Sequence, residues 1–96
     1  MEKYLNCIKE LMNQYQKDGI EIIGLFGSVA RGDDDIGSDI DIAYKINYDK
    51  FFSIYKDGFS QILRLEEIKE ELQKRLHKKV DFVPFNEKIK NEIIYI

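Results

Sequence analysis

From Ser38 to Ile46 the chain reads SDIDIAYKI, a pattern that suits one kind of structure. Successive side chains of a strand point to opposite faces, so Asp39 and Asp41 share one face while Ile40 and Ile42 anchor the other in a core. Aspartate is disfavoured in strands, and two of them in an otherwise apolar segment lean towards a function. Two like charges held this close repel each other, and a divalent cation relieves the repulsion. Ligands that are all oxygen favour Mg²⁺ or Mn²⁺ over zinc or copper. The bland alternative is a solvated strand face with two exposed aspartates. On the pair alone the two readings balance, because short motifs recur by chance.

The remaining periodicities assemble around this strand. Leu5, Ile8, Leu11, Met12 and Tyr15 recur at helical spacing and predict an amphipathic helix over Lys3–Lys17, ended by Asp18-Gly19. Ile20–Phe26 is short, apolar and β-branched, a buried strand broken by Gly27-Ser28. Ser28 is a good N-cap for a short helical turn through Val29, Ala30 and Arg31. Gly32–Gly37 is an aspartate-rich loop, and Ser38–Ile46 is the second strand. The aromatic-rich stretch Asn47–Phe59 fits helix or loop equally well. A helix begins at Ser60 or Gln61 and runs to His77, with Ile62, Leu65, Ile68 or Lys69, Leu72 and Leu76 along it. Lys79–Phe85 is a third strand stopped by Pro84 and Asn86, and the tail Glu87–Ile96 ends in a last short strand over Ile93–Ile96. The order implies an α/β (α+β) fold, a small mixed sheet with helices packed on one face.

Composition bounds what such a chain does. Its 96 residues are one domain's worth, over residues 1–96, with little surface left for elaborate substrate binding. Hydrophobic residues make up 44%, a globular rather than a disordered content. The net charge of −3 carries no basic footprint for nucleic acid, although Lys74, Arg75, Lys78 and Lys79 form a local basic patch. Cys7 is the one cysteine, so no internal disulfide or cysteine-based zinc spacing exists, and its helical setting reads as an inert core thiol. With no signal-peptide core and no apolar run long enough to span a bilayer, the expected setting is cytoplasmic. His77, the lone histidine, suits the dipole at a helix C-terminus and is not expected in catalysis.

Gly27-Ser28 gives the carboxylate pair a context. A strand that runs into Gly-Ser and then a helix start presents backbone N–H groups to a phosphate, and glycine lets that phosphate approach closely. The stretch from Gly27 to Ile42, GSVARGDDDIGSDIDI, resembles the signature of the polymerase-β-like nucleotidyltransferase superfamily. Ala30-Arg31-Gly32 and Ser38-Asp39-Ile40-Asp41 match the longer form found in minimal nucleotidyltransferases (MNT), the antitoxins of the MNT–HEPN toxin–antitoxin systems. The resemblance implies a third carboxylate on a later strand, for which Asp81 is the candidate. It implies two magnesium ions held by Asp39, Asp41 and Asp81, with ATP as substrate and Gly27, Ser28, Arg31 and Ser38 in the nucleotide site. Arg31 fits an alternative role, ordering the acidic loop through a salt bridge. Asp33, Asp34 and Asp35 are rival acids in that loop.

By the same resemblance the reaction is adenylylation of a tyrosine on a HEPN-domain toxin, in a type VII-like pair. A chain of this length leaves the acceptor surface to its partner, as a homo- or hetero-oligomer. Phe51, Phe52, Tyr55 and Phe59 are candidates for that interface or, equally, for the core. Two other functions stay open: neutralisation of a partner by binding alone, and nucleotidyl transfer to a small molecule such as an antibiotic.

Overall fold

A computed structural model describes residues 2–32 and 37–96 of the chain; Asp33, Asp34 and Asp35, together with most of the acidic loop, lie outside the described residues. In chain order the elements are α1 (Glu2–Lys17), β1 (Ile20–Phe26), α2 (Gly27–Arg31), β2 (Ile40–Ile46), α3 (Tyr48–Ile54), α4 (Gly58–Leu76), β3 (Val80–Pro84) and β4 (Ile94–Tyr95). The strands form one mixed sheet in the order β3-β2-β1-β4. β1 runs antiparallel to both β2 and β4, whereas β2 and β3 are parallel. Parallel neighbours cannot be joined by a tight turn, and α3 and α4 supply the crossover between them.

The core is the one the alternation predicts. Ile20, Ile22 and Leu25 of β1, Ile40, Ile42 and Tyr44 of β2 and Val80 of β3 are buried against Ile8, Leu11 and Tyr15 of α1 and Ile68, Leu72 and Leu76 of α4. Cys7 is half-buried and packs on this core. Polar contacts fix the helix layer. Arg64 donates to Asp18 Oδ2 from Nε at 2.9 Å and from Nη2 at 2.7 Å, tying α4 to the α1–β1 turn. The Tyr15 hydroxyl donates to Glu71 Oε1 at 2.6 Å. No helix among the described residues is long and apolar enough to cross a membrane.

Several local expectations shift. The undecided stretch after β2 contains α3, capped by Asn47, whose Oδ1 accepts from Lys50 N at 3.2 Å. α4 begins at Gly58 rather than Ser60 or Gln61, because Asp57 is its N-cap and accepts from Ser60 N at 2.8 Å. Ile62 does not join the buried stripe and is 66% exposed. It lines a surface cavity together with Leu65, Tyr44 and Phe82 instead of closing onto the core. β2 starts at Ile40 rather than Ser38, since its first ladder partner is Val80. β3 starts at Val80 rather than Lys79 and ends at Pro84.

Gly24 sits where the β1–β2 register shifts, opposite Tyr95 of β4. A Cβ there would collide with the Ile94 carbonyl oxygen and lie 2.8 Å from Ile93 Cγ2, so only glycine lets β4 close on the sheet. Gly24→Ala is therefore expected to cost about 1–3 kcal/mol, the range for overpacking. Urea unfolding checks the cost, and faster amide exchange at Ile94 and Ile96 checks that β4 is the element displaced.

Candidate active site

The predicted residues gather at one end of the sheet. Ile40 N donates to Lys79 O at 2.9 Å, which starts the parallel ladder and pairs Asp41 directly with Asp81. Asp39 lies one residue ahead of β2, on the same end. On the other side of β2, Asp41 pairs with Phe26, the last residue of β1, and the chain then turns into α2. The acidic pair of the second strand, the aspartate of the third and the Gly27-Ser28 turn thus share one edge of the fold.

Gly27 makes the closest approach. Its φ of 79° lies in the left-handed region, and a Cβ at this position would run into the Asp41 carboxylate at Oδ2. Two constraints therefore select glycine here, the backbone angle and the space taken by Asp41. The same backbone turn moves the helix start back to Gly27, with Phe26 as the N-cap. Ser28 is accordingly not the N-cap expected of it but the second residue of α2. Phe26 offers no side-chain acceptor, so the cap residue's side chain satisfies none of the opening N–H groups of this short helix.

The electrostatics agree with the register. Burial raises the Asp41 carboxyl above its ordinary 3.8, the negative charges of Asp81 and then Asp39 raise it further, and Arg31 pulls it back down. Asp41 thus feels both of the other acids. The three are electrostatic neighbours but not a finished cage: among the described residues no three His, Cys, Asp or Glu side chains are gathered to hold a metal ion. Their chemistry, all carboxylate oxygen, suits magnesium. Arg31, in the last turn of α2, is 3.7 Å from Glu92 Oε1. This contact is to the C-terminal tail, whereas the acidic loop that Arg31 was expected to order lies outside the described residues; the Arg31 charge also reaches Asp41. Ser38 precedes Asp39 and is half-buried. His77 is an exposed C-cap in the left-handed conformation, and it lines a cleft that Asp39 also borders.

Residues 6–95 match the family model described as polymerase beta, nucleotidyltransferase. The chain belongs to this family. The match spans nearly the whole chain, including the helices and β4 outside the Gly27–Ile42 motif. No curated protein and no solved structure matches the chain. A polymerase beta nucleotidyltransferase domain points to nucleotidyl transfer as the activity, and the small mixed sheet with packed helices is consistent with that fold.

The nucleotidyltransferase edge is costly to fold without a counterion. A carboxyl whose folded pKa is raised binds protons more readily in the native state, so stability is lost as pH rises from 3.8 through the raised value. In metal-free protein Asp41→Asn is expected to raise Tm at neutral pH and to remove that part of the acid-side pH dependence. Thermal melts from pH 3 to 8 check it, and added magnesium is expected to narrow the gap by stabilising the unsubstituted chain alone.

Proposed function

We propose that this domain is a magnesium-dependent adenylyltransferase that transfers AMP from ATP to a tyrosine hydroxyl of a HEPN-domain toxin, as the antitoxin of a type VII-like pair. The register that sets Asp41 opposite Asp81 beside the Gly27 turn is the observation that carries the reading. The extended motif from Gly27 to Ile42, which resembles that of minimal nucleotidyltransferases, supports the choice of partner.

Asp39, Asp41 and Asp81 are the residues that would hold magnesium. When bound, the metal supplies activation of the acceptor hydroxyl and neutralisation of the departing pyrophosphate. The chain's own residues do the positioning. The Gly27 backbone and the opening N–H groups of α2 receive the β- and γ-phosphates, with the Ser28 hydroxyl as a further donor and Ser38 lining the nucleotide site. Arg31 balances charge at Asp41 and lies within reach of the phosphates. Asp81, on the far side of Asp41 from Gly27, faces the acceptor and favours loss of its hydroxyl proton. The acceptor oxygen bonds to the α-phosphorus, the bond from that phosphorus to the α–β bridging oxygen breaks, and pyrophosphate leaves.

The test pairs the purified chain with Mg-ATP and its HEPN partner and reads the mass of the partner. Addition of AMP is expected on a tyrosine. Asp39→Asn combined with Asp41→Asn is expected to slow transfer by at least about 10²-fold, the scale of losing one preorganised electrostatic contact. No AMP on any partner residue, from folded protein that binds magnesium, rejects the enzyme. Undiminished neutralisation of the toxin by the double variant instead assigns the effect to occlusion.

A further inference from the structure

Seven large apolar or aromatic side chains stand exposed among the described residues, and six of them lie in α3 and the first turns of α4. They are Tyr48, Phe52, Ile54, Phe59, Ile62 and Leu63, between 46% and 77% exposed. Scattered singly, exposed apolar residues need no explanation. These are gathered. Only Tyr55, Lys56 and Asp57 separate α3 from α4, and Gln61 Nε2 donates to Tyr55 O at 2.9 Å, which ties the first turns of α4 to the end of α3. Tyr48 and Phe52 meet edge to face with ring centres 5.3 Å apart. Ile62 opens onto a cavity walled by Tyr44 and Phe82, and Tyr44 also walls the cavity that Tyr48 borders.

The area involved is close to that of an interface. Large side chains exposed by roughly half or more leave on the order of 100 Å² each, so the six together present on the order of 600 Å². The largest apolar patch on a typical monomer is about 300–600 Å², and a stable interface takes about 800 Å² from each partner. Leu65, Phe82 and the aliphatic stems of Glu66 and Lys69, which wall the cavity beside Ile62, extend the patch towards that size. Its position separates it from the catalytic edge. α3 follows the end of β2, and α4 starts there before returning to the start of β3, so the patch lies at the end of the sheet opposite to Asp39, Asp41 and Asp81.

We propose that this face joins two copies of the chain in a two-fold dimer, with α4 of one copy antiparallel to α4 of the other. Phe59, Ile62, Leu63 and Glu66 follow the spacing of one helix face. The ends of this stripe carry opposite charge: Lys56 stands just ahead of the Asp57 cap, and Glu66 lies about two turns into the helix. Both are exposed, and neither is in a salt bridge among the described residues. A two-fold axis beside Ile62 lays Phe59 of one copy on Leu63 of the other and sets Glu66 of each copy against Lys56 of the other. The same patch then serves both sides, as a two-fold contact requires. The proposal does not depend on the adenylyltransferase reading, and it leaves both catalytic edges open at the far ends of the dimer.

The test is sedimentation of the full chain, without nucleotide, across the micromolar range, where twice the mass of the chain is expected. Phe59→Ser with Ile62→Ser is expected to raise the dissociation constant at least about 30-fold, the factor for one residue at the centre of an interface. Glu66→Lys is expected to raise it several-fold by setting like charges together, and Glu66→Lys combined with Lys56→Glu to restore it. All four positions are exposed, so circular dichroism is expected to show the fold intact in every variant. A monomer at every concentration, a dimer that the serine pair leaves unmoved, or a charge exchange that fails to restore association overturns the proposal. A monomer that uses these residues only to hold the HEPN protein, or only to bind vesicles of anionic lipid, overturns it as well. Transfer with Mg-ATP is scored separately by mass spectrometry: a dimer without AMP addition removes the enzymatic reading alone, and AMP addition by a monomer removes the dimer alone.

Discussion

The parallel pairing of β2 with β3 is the constraint on which the site depends. It sets Asp41 against Asp81 across two neighbouring strands that are far apart in the sequence. A slip of one residue would turn the Asp81 side chain to the opposite face and bring Phe82 alongside Asp41. The apolar faces prevent that slip. Ile40 and Ile42 are fully buried and Val80 nearly so, and a shifted β3 would have to expose Val80 to the solvent. Hydrophobic burial on one face thereby sets the carboxylate geometry on the other. The same sheet concentrates negative charge at its end because the energy of burying the isoleucines is shared by the whole core, whereas the repulsion among Asp39, Asp41 and Asp81 is local.

Two glycines of β1 and its exit serve different purposes. Gly24 allows another strand to approach, and its requirement is steric: the Ile94 carbonyl occupies the space a Cβ would take. Gly27 allows the chain to turn with a positive φ while the Asp41 carboxylate lies against it. The first belongs to the fold and the second to the site. Both occur within one short stretch because β1 is central in the sheet, flanked by β2 on one side and β4 on the other.

The outer surface divides by chemistry as well. The first turns of α4 and the outward side of α3 expose Tyr48, Phe52, Ile54, Phe59, Ile62 and Leu63, while Phe51 alone among the aromatics of α3 is fully buried. The edge of β3 is blunted: Gln73 Oε1 accepts from Val80 N at 3.0 Å, and Pro84 has no N–H to offer. Strand addition at this edge is disfavoured.

Much was legible in the sequence because it depends on local period and backbone preference. The period of two over Asp39–Ile42 separated buried isoleucines from accessible acids, the stripe from Leu5 to Tyr15 marked α1, and Gly27 marked the strand exit. Asn47 and Asp57 were readable N-caps that the aromatic content of Asn47–Phe59 obscured. The family motif carried Asp81 into the site as well, but only as an analogy. That Asp81 lies opposite Asp41, that Phe51 faces inward while Phe52 and Phe59 do not, and that Lys78 and Lys79 line a cleft beside Asp39 were decided by tertiary structure. These are relations between segments distant in the chain. Local periodicity says which face of an element is apolar, whereas strand register and the cover a helix finds on the sheet follow from how the faces close on one another.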